Sequence, residues 1–260
     1  MMVTGARGFL GQHLVHASED DRWQLFAPPS GALDIRDRAR VLDDITTWKP
    51  TVVVHLAYRR DDPAVIVDGS RHVAEAAAKA KARLIHLSTD VVFRGRGTAY
   101  TETDATDAIS DYGRWKADAE RAVAAAHPGA LLLRTSLLYG TDRQARIQRD
   151  VADSLAGRNT MAFFTDEYRC PAHAADVAGA IVRLAAMPDV HGPLHLAGPQ
   201  LVSRAELAFA FARFLHDDPS HLPLTTLVTS GLYRPGVVAL DCSRAESLGL
   251  RCRPLDEALR

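Results

Sequence analysis

Short apolar, β-branched runs alternate with longer amphipathic runs over the first two thirds of the chain. Continuous apolar runs predict strands buried on both faces, and apolar positions three and four residues apart predict helices. The predicted strands are Met1–Thr4, Trp23–Ala27, Thr51–Ala57, Arg83–Ser88 and Ala130–Thr135. The predicted helices are Leu10–Ala17, Ser70–Ala82, Asp111–Ala126, Arg146–Ala156, Ala174–Ala186 and Ser203–Leu215. The alternation predicts an α/β fold in which helices cover both faces of a parallel sheet.

A glycine-rich turn joins the first predicted strand to the first helix. Gly5, Gly8 and Gly11 are three residues apart, with Arg7, Phe9 and Leu10 between them. Such glycines permit a tight turn and close approach to a pyrophosphate, which the helix N-terminus attracts. The turn therefore predicts dinucleotide binding by this loop and a Rossmann-type doubly wound parallel sheet. The first strand is short, which leaves open a start further upstream.

The end of the second predicted strand bears on the choice of nicotinamide cofactor. NAD-binding sheets usually place a carboxylate there to bind the ribose 2′-hydroxyl. Here the sequence reads Phe26-Ala27-Pro28-Pro29-Ser30, without a carboxylate, and Arg7 is available to pair with a 2′-phosphate. We expect NADP(H), with NAD(H) as the alternative; a solvated loop cation is the other interpretation of Arg7.

A tyrosine and a lysine with YxxxK spacing, Tyr112 and Lys116, lie one turn apart on a predicted helix. A phenol needs a nearby cation to exchange protons near neutral pH, and Lys116 can supply it. Upstream, Ser88 and Thr89 end a predicted strand at the sheet edge where such folds bind ligands. Either hydroxyl can hold a substrate carbonyl beside the tyrosine.

The later part of the chain is less regular. Residues 94–111 are acidic, residues 141–171 are polar, and residues 193–260 carry six of the 13 prolines. Insertions after strand ends are where α/β enzymes build substrate sites. We expect a single unit over residues 1–260, with residues 1–140 mainly the dinucleotide-binding core. Residues 141–260 then complete the core and add a small C-terminal substrate lobe.

The composition limits which classes of binding partner are expected. The 31 Lys and Arg against 32 Asp and Glu leave a net charge of −1, which does not favour nucleic acid or an anionic membrane. Three cysteines without a CxxC pair do not indicate a disulfide scaffold, and the opening residues do not resemble a signal peptide. We therefore expect a cytoplasmic protein. We expect no metal site, because His13 and His16, one turn apart, supply only two ligands.

A further set of arginines, Arg143, Arg146 and Arg149, is spaced three residues apart. Arginine forks suit a substrate diphosphate, but this spacing more simply indicates an exposed helix face.

Six segments together resemble extended short-chain dehydrogenases/reductases, and within them the dTDP-4-dehydrorhamnose reductase group. That group also includes the regulatory β subunit of methionine adenosyltransferase. The resemblance covers essentially the whole chain in order. The segments are TGARGFLG, HLSTDVVF, AYTETDATDAISDYGRWKADAE, LLLRTSLLYG, EYRCPAHAADVAGAI and RPGVVALDCSRAESLGL.

The resemblance implies a role for each matching residue. It makes Thr89 rather than Ser88 the catalytic hydroxyl, Tyr112 the acid/base, and Lys116 the partner of the tyrosine and the cofactor ribose. The implied cofactor-binding residues are Gly5, Arg7, Gly8, Phe9, Leu10, Gly11, His55, Leu56, Ala57, Tyr112, Lys116 and Thr135. The implied substrate-binding residues are Thr89, Asp90, Val91, Ser136, Arg169 and Arg234.

The resemblance implies an NADP-preferring oxidoreductase that reduces a nucleotide-linked 4-keto-6-deoxy sugar. Two departures favour a non-catalytic regulatory subunit as an alternative. Ile66 stands where relatives often have an asparagine that supports the lysine, in a shortened segment, and Arg169-Cys170-Pro171 replaces the more usual Gly-Ser-Pro. A nucleotide-sugar epimerase or dehydratase is a third hypothesis. The expected partner is a nucleotide sugar; a homodimer, and a partner enzyme for a regulatory subunit, stay open.

Overall fold

The molecule is built around a five-stranded parallel sheet whose strands lie side by side in the order Met2–Thr4, Val52–His55, Arg83–Thr89, Leu131–Thr135 and Gly192–His195. The structure, a computed structural model, describes residues 1–19, 23–141 and 145–260. The strands are β1 (Met2–Thr4), β2 (Val52–His55), β3 (Arg83–Thr89), β4 (Leu131–Thr135), β5 (Leu138–Tyr139), β6 (Phe163–Phe164), β7 (Tyr168–Arg169), β8 (Ala172–His173), β9 (Gly192–His195), β10 (Val202–Ser203) and β11 (Leu224–Thr225).

Helices cover both faces of this sheet. They are α1 (Phe9–Ala17), α2 (Arg38–Trp48), α3 (Gly69–Lys79), α4 (Asp111–Ala126), α5 (Arg146–Leu155), α6 (Ala174–Ala185), α7 (Arg204–Phe214), α8 (Leu227–Ser230), α9 (Ser243–Ser247) and α10 (Leu255–Ala258). One apolar cluster joins the sheet to α1 and α6, and a second joins it to α2, α3 and α4. The predicted Rossmann-type α/β fold with a parallel sheet is therefore confirmed.

Continuous apolar runs form the central strands because both of their faces are covered. Every residue of β2 and β4 is buried, and Leu131 and Leu133 have no exposed surface. Burying a leucine side chain contributes about 1.5–3 kcal/mol to stability. The predictions for β1, β2, β3 and β4 agree with the structure to within two residues at each end.

The strand predicted at Trp23–Ala27 is wrong as a strand. Within it only Phe26 forms a bridge, to Met2 of β1: the Phe26 amide donates to the Met1 carbonyl, and the Phe26 carbonyl accepts the Val3 amide. The segment lies beside β1 at the sheet edge, and Pro28 and Pro29 follow it at once. Prolines lack the N–H that would extend the pairing.

Sequence periodicity missed two core elements, α2 and β9. Helix α2 begins at an N-cap, Asp37, whose side chain accepts the Arg40 amide, and Arg40 pairs with Asp44 one turn later. Strand β9 contains a glycine and a proline, and only its last two residues are buried. It is an edge strand paired with β4, so it lacks the apolar run of a central strand.

The six predicted helices are confirmed, with ends that differ by at most three residues. Ahead of α3 the chain forms one π-helical turn, Ala64–Asp68, and 3₁₀ turns occupy Asp90–Val92 and Pro219–His221. The π-turn falls in the segment that is shorter than in the resembled family.

Two features of the topology indicate where a ligand site would form. The chain passes from β1 to the Phe26 bridge on one side and then to β2 on the other side, so β1 lies at a topological switch point. Beyond β4, short strand pairs and helices α5, α7 and α10 pack into a smaller apolar cluster. Because residues 192–195 return to the main sheet, residues 141–260 contribute both to the core and to this cluster; the boundary near residue 140 stays a prediction.

Among the described residues, no helix combines the length and the apolarity that crossing a membrane would require.

Candidate active site

The glycine turn between β1 and α1 is held closed by backbone contacts. Gly5 has φ +74, and a Cβ atom on it would lie 2.6 Å from the Ala57 nitrogen. A Cβ atom on Gly11 would clash with the Gly5 oxygen, so α1 packs directly on the turn. The Gly8 amide donates to the Gly5 carbonyl at 2.9 Å. Residues larger than glycine would force this turn open.

A chain of neutral hydrogen bonds joins the glycine turn to the segment after β2. The Ser70 hydroxyl donates to the Ile66 carbonyl at 2.6 Å, so it accepts from His55 Nε2 at 3.0 Å. His55 Nδ1 is then the acceptor for the Thr4 hydroxyl at 2.6 Å. The Thr4 oxygen also accepts the Ala57 amide at 3.4 Å. Burial, with a smaller contribution from Lys116, lowers the pKa of His55 to about 3 and keeps it neutral.

Helix α4 carries the YxxxK pair. Its N-cap, Ser110, accepts the Gly113 amide, which starts the helix directly before Tyr112. Lys116 is buried and donates to the Leu87 carbonyl at 2.6 Å, with His86 Nε2 at 3.5 Å. Burial lowers the pKa of Lys116 to about 8, and nearby Glu120 opposes this shift. The helix therefore fixes the ammonium against the end of β3.

Tyr112 has a different cation beside it. The Arg60 guanidinium carbon lies 5.2 Å from the centre of the Tyr112 ring, and the Tyr58 ring lies 6.2 Å away. Burial raises the pKa of Tyr112 above its ordinary value, Tyr58 raises it further, and Arg60 opposes both. No hydrogen bond joins Tyr112 to Lys116 in the ranges that the structure describes. The phenol is thus protonated at neutral pH, as a proton donor must be.

The two candidate hydroxyls at the end of β3 have opposite environments. Ser88 is buried and donates to Glu120 Oε1 of α4 at 2.5 Å. Thr89, the next residue, is less buried, donates to Asp90 at 3.2 Å, and accepts the Val91 amide at 3.4 Å. Alternate strand residues point to opposite faces, so only one hydroxyl can face the site. Ser88 is committed to the protein interior.

Behind Ser88 lies a buried ion pair. Arg134 of β4 contacts Glu120 through two nitrogens, Nη2 to Oε2 at 2.7 Å and Nε to Oε1 at 2.9 Å. Both side chains are 4% exposed. Arg134 also lies 3.4 Å from His195 Nε2 of β9. The pair ties the helix that carries Tyr112 and Lys116 to the two strands at one side of the sheet.

On the other side of Thr89, a second buried network leads into the smaller cluster. Asp90 accepts the Ser136 hydroxyl at 2.6 Å and lies 3.7 Å from Arg169 Nε. Arg169 lies 3.4 Å from Glu167, and Arg234 Nε lies 3.0 Å from the same carboxylate. Burial raises the pKa of Asp90, while Arg169 and the Ser136 hydroxyl oppose it. This network connects residues that are far apart in sequence.

The residues present fit a nicotinamide dinucleotide. The first turn of α1 has no side-chain cap, because Gly8 is its N-cap, so its amides face the turn. Arg7 is exposed in the loop. At the far end, the buried Thr135 hydroxyl at the end of β4 has no hydrogen-bond partner among the described residues. A buried polar group of this kind calls for a ligand partner.

The structure brings most predicted site residues to one edge of the sheet, at the C-terminal ends of β1, β2, β3 and β4. Arg169 differs in that it is 2% exposed and donates to the carbonyls of Tyr168, Pro235 and Gly236. Through these bonds Arg169 connects β7 to the segment around residue 235. Of the other arginines, Arg146 and Arg149 are exposed, and Arg143 lies outside the described residues.

Sequence reasoning missed Arg60, Glu120, Arg134, Glu167 and Arg204. A helical signal for Glu120 was present, since it lies four residues after Lys116 and so shares its face. Glu167 lies two residues before Arg169, but nothing local indicates that the Arg234 side chain and the Arg204 amide contact it. Those contacts depend on tertiary structure.

Comparison with known proteins identifies the relatives of this chain. The RmlD substrate binding domain model matches residues 1–260. The chain is 30% identical to methionine adenosyltransferase 2 subunit beta of Bos taurus, over 96% of this chain and 82% of that protein. It is 27% identical to dTDP-4-dehydrorhamnose reductase of Aggregatibacter actinomycetemcomitans, over 100% and 97%.

A solved structure agrees with the same assignment. A dTDP-4-dehydrorhamnose reductase from Bacillus anthracis in complex with NADP superposes with a TM-score of 0.91 at 24% identity, covering 99% of this chain and 96% of the other. At this identity the likeness establishes the fold. Because the RmlD substrate binding domain model matches residues 1–260, the chain belongs to the RmlD substrate binding domain family.

Proposed function

We propose that this protein is an NADP-preferring oxidoreductase that reduces a nucleotide-linked 4-keto-6-deoxy sugar. The observation that carries the proposal is the convergence of Thr89, Tyr112 and Lys116 at the strand ends, beside a turn that fits a dinucleotide. The reductase relative from A. actinomycetemcomitans, matched over 97% of its length, supports the substrate class. The proposal includes Thr89, Asp90, Val91, Ser136, Arg169 and Arg234 on the substrate side.

NADPH, when bound, supplies a hydride for the ketone carbon. Tyr112 donates its proton to the carbonyl oxygen, so a secondary alcohol forms and a phenolate is left, which solvent reprotonates. Thr89 donates a hydrogen bond to the same oxygen as negative charge develops there. Lys116 holds its positive charge near the cofactor ribose and the phenolate, because the Leu87 carbonyl fixes its position.

The preference for NADP rests on charge. Arg7 is exposed in the glycine turn, and no carboxylate occurs between Phe26 and Ser30. A 2′-phosphate therefore meets a cation and no repelling charge. NAD(H) is the alternative cofactor, and Arg7→Gln is the substitution that would bring the affinities for the two together.

The test is NADPH oxidation by the purified protein with a dTDP-4-keto-6-deoxyhexose. Tyr112→Phe should lower kcat/KM by about 10²–10⁴-fold, because a positioned general acid contributes that much. Tyr58→Phe is the matched control, since Tyr58 is an exposed neighbour of the same ring. Full activity of Tyr112→Phe would contradict the mechanism.

The same assay separates the two hydroxyls. Thr89→Val should lower kcat by about 10²-fold, comparable to the loss of a carbonyl-binding donor. Ser88→Ala should keep turnover and instead lower stability, because Glu120 loses a buried donor. The reverse result would assign the reaction to Ser88.

A second candidate function is a regulatory subunit that binds the cofactor without turning it over. The 30% identity to a methionine adenosyltransferase β subunit favours it, as does the buried, apolar Ile66 in the π-turn. This function predicts stoichiometric NADPH binding, no turnover with any nucleotide sugar, and co-purification with a partner enzyme. Cofactor recycling without net NADPH loss would instead indicate an epimerase or dehydratase.

A further inference from the structure

Two histidines lie side by side on neighbouring strands of the main sheet, and they differ in their hydrogen bonds. His55 of β2 and His86 of β3 are register partners, and their ring centroids are 5.3 Å apart. Both ring nitrogens of His55 are bonded, to Thr4 and to Ser70. In His86 the buried Nδ1 atom has no hydrogen-bond partner among the described residues, and Nε2 lies 3.5 Å from the Lys116 ammonium. The polar contact of the His86 ring is therefore with Lys116.

An imidazole at position 86 is costly for stability. His86 is 1% exposed and lies in β3, the central strand of the sheet. A buried N–H group without an acceptor costs free energy that an apolar side chain would avoid. Leu84 and Ile85, just before it in the same strand, are apolar and have no exposed surface. The contact with Lys116 is what distinguishes position 86 from these two.

Lys116 depends on neutral acceptors for its buried charge. Its closest contact is with the Leu87 carbonyl at 2.6 Å. Glu120, one turn later, favours the charged form of Lys116, but both of its oxygens are bonded to Arg134. Within residues 1–19, 23–141 and 145–260, Lys116 forms no ion pair. The His86 ring is thus the second group that can accept a hydrogen bond from this ammonium.

The charge of Lys116 determines which ring nitrogen of His86 carries the hydrogen. Burial, Lys116 and His55 all lower the pKa of His86, so the ring is neutral. An ammonium has three donors and no acceptor, so Nε2 of His86 must be the acceptor and Nδ1 carries the hydrogen. The Leu87 carbonyl and His86 then take two of the three N–H groups of Lys116. The third is left for a ligand.

We propose that His86 is a positioning residue for Lys116. Its Nε2 atom and the Leu87 carbonyl together hold the ammonium so that the third N–H is available to the cofactor ribose. This inference rests on the proposed function, in which Lys116 stays charged near the ribose and the Tyr112 phenolate. His86 itself touches neither cofactor nor substrate and acts through the lysine.

The groups around Lys116 that titrate or carry charge come from four elements. They are His86 on β3, His55 on β2, Glu120 on α4 and Arg134 on β4. Glu120 and Arg134 pair with each other, and burial keeps both histidines neutral. Burial also lowers the pKa of Lys116 to about 8. Loss of one acceptor should lower this pKa further, toward neutral pH, because the charged form loses a hydrogen bond.

The test is an NMR titration of the lysine side chains in the full chain without cofactor. The chain has four lysines, and Lys49, Lys79 and Lys81 are exposed and provide reference signals. Lys116→Arg identifies the remaining signal. His86→Leu should lower the pKa of Lys116 by about one unit, since losing a hydrogen bond to a charged group changes an equilibrium constant about tenfold.

Two further substitutions separate the acceptor from the bulk of the ring. A glutamine at position 86 places its carbonyl oxygen near the position of Nε2, whereas an asparagine places it near that of Nδ1. His86→Gln should therefore keep the pKa of Lys116 near the wild-type value, and His86→Asn should lower it as His86→Leu does. His127→Leu is the matched control, because His127 ends α4 and bonds through Nε2 to the Ala82 carbonyl at 2.9 Å.

The reduction assay gives a second readout. Burial raises the pKa of Tyr112 above its ordinary value, so the loss of kcat/KM just above neutral pH reports the charge of Lys116. In His86→Leu and His86→Asn this loss should begin about one pH unit lower than in the wild type. In His86→Gln and His127→Leu it should not move.

Each outcome decides the proposal. A Lys116 pKa that is lowered in His86→Asn and restored in His86→Gln supports the positioning role. The same pKa in the wild type and in His86→Leu overturns it. Equal shifts in His86→Gln and His86→Asn also overturn it, because they would come from lost packing. If His86→Leu does not fold, the comparison of these two variants decides alone. A His86-dependent pKa of Lys116 in a chain that reduces no nucleotide sugar would support the contact and contradict the reductase function.

Discussion

The cofactor side and the substrate side of the candidate site are built from different materials. Around Gly5 and Gly11 the contacts are backbone to backbone, and the linked polar side chains, Thr4 and His55, are neutral. Around Glu167 the contacts are between charged side chains, of which Glu167 and Arg169 are almost fully buried and Arg234 is partly exposed. The region around Gly5 and Gly11 therefore tolerates little added side-chain volume, whereas the region around Glu167 tolerates little change in charge.

The largest effect is expected on the charged side. Glu167→Gln leaves Arg169, Arg204 and Arg234 without their shared carboxylate, and breaking a buried pair from one side costs about 3–5 kcal/mol. We expect a large drop in the midpoint of chemical denaturation. The exposed acid Glu257 provides the control, and Glu257→Gln should have no measurable effect.

A double substitution tests whether the lost stability arises from the arginines around Glu167. Adding Arg204→Gln to Glu167→Gln removes one of the cations that Glu167 attracts and should recover part of the lost stability. Simple additivity of the two changes would mean that Arg204 and Glu167 do not interact, contrary to this expectation.

A smaller loss is expected from volume on the cofactor side. Gly11→Ala places a methyl group against the Gly5 carbonyl and the Ala6 backbone, which has to move. Overpacking of this kind costs about 1–3 kcal/mol, and the moved turn should also bind NADPH more weakly. Gly179→Ala in α6 is the control, because a Cβ there meets nothing within 4 Å. Retained NADPH affinity in Gly11→Ala would show that the turn does not hold the cofactor.

Much of the cofactor side could be predicted from the sequence, and little of the substrate side. Glycine spacing and YxxxK are local patterns that follow from the geometry of one turn or one helix. Glu167 and Arg234 are 67 residues apart, so their contact depends on tertiary structure and on no local pattern. The edge elements were missed for a related reason: β9 is half exposed and contains Gly192 and Pro193, so tertiary pairing rather than composition makes it a strand.

The smallest effect on activity is expected at Arg60, which contacts Tyr112 between the cofactor side and the substrate side. Arg60 is exposed and contacts the face of Tyr112, a geometry worth about 0.5–1 kcal/mol in solvent, so Arg60→Gln should lower kcat by about 2- to 5-fold. The same substitution should also shift the pH dependence of the reverse reaction, in a direction set by the pKa of Tyr112. Arg60 lowers the pKa of Tyr112, so its loss raises that pKa. In the reverse reaction Tyr112 must be deprotonated to accept a proton from the alcohol, and the rise of rate with pH should therefore move to higher pH.

Arg59→Gln is the control for this measurement, because Arg59 is an exposed neighbour whose ion pair is with Asp61 at 3.8 Å. Added salt should weaken the Arg60 effect, since an exposed charge is screened. An identical pH profile in Arg60→Gln would show that its contact with the ring does not act on the proton.

The hydrogen bonds from Thr4 through His55 to Ser70 have a collective consequence. Thr4 donates to His55 Nδ1, His55 Nε2 donates to Ser70, and Ser70 donates to the Ile66 carbonyl, so the direction of each bond determines that of the next. The network therefore fixes the tautomer of His55, with the ring proton on Nε2. Since it runs from the strand before the glycine turn to the π-turn at Ile66, it joins two segments that are distant in the sequence.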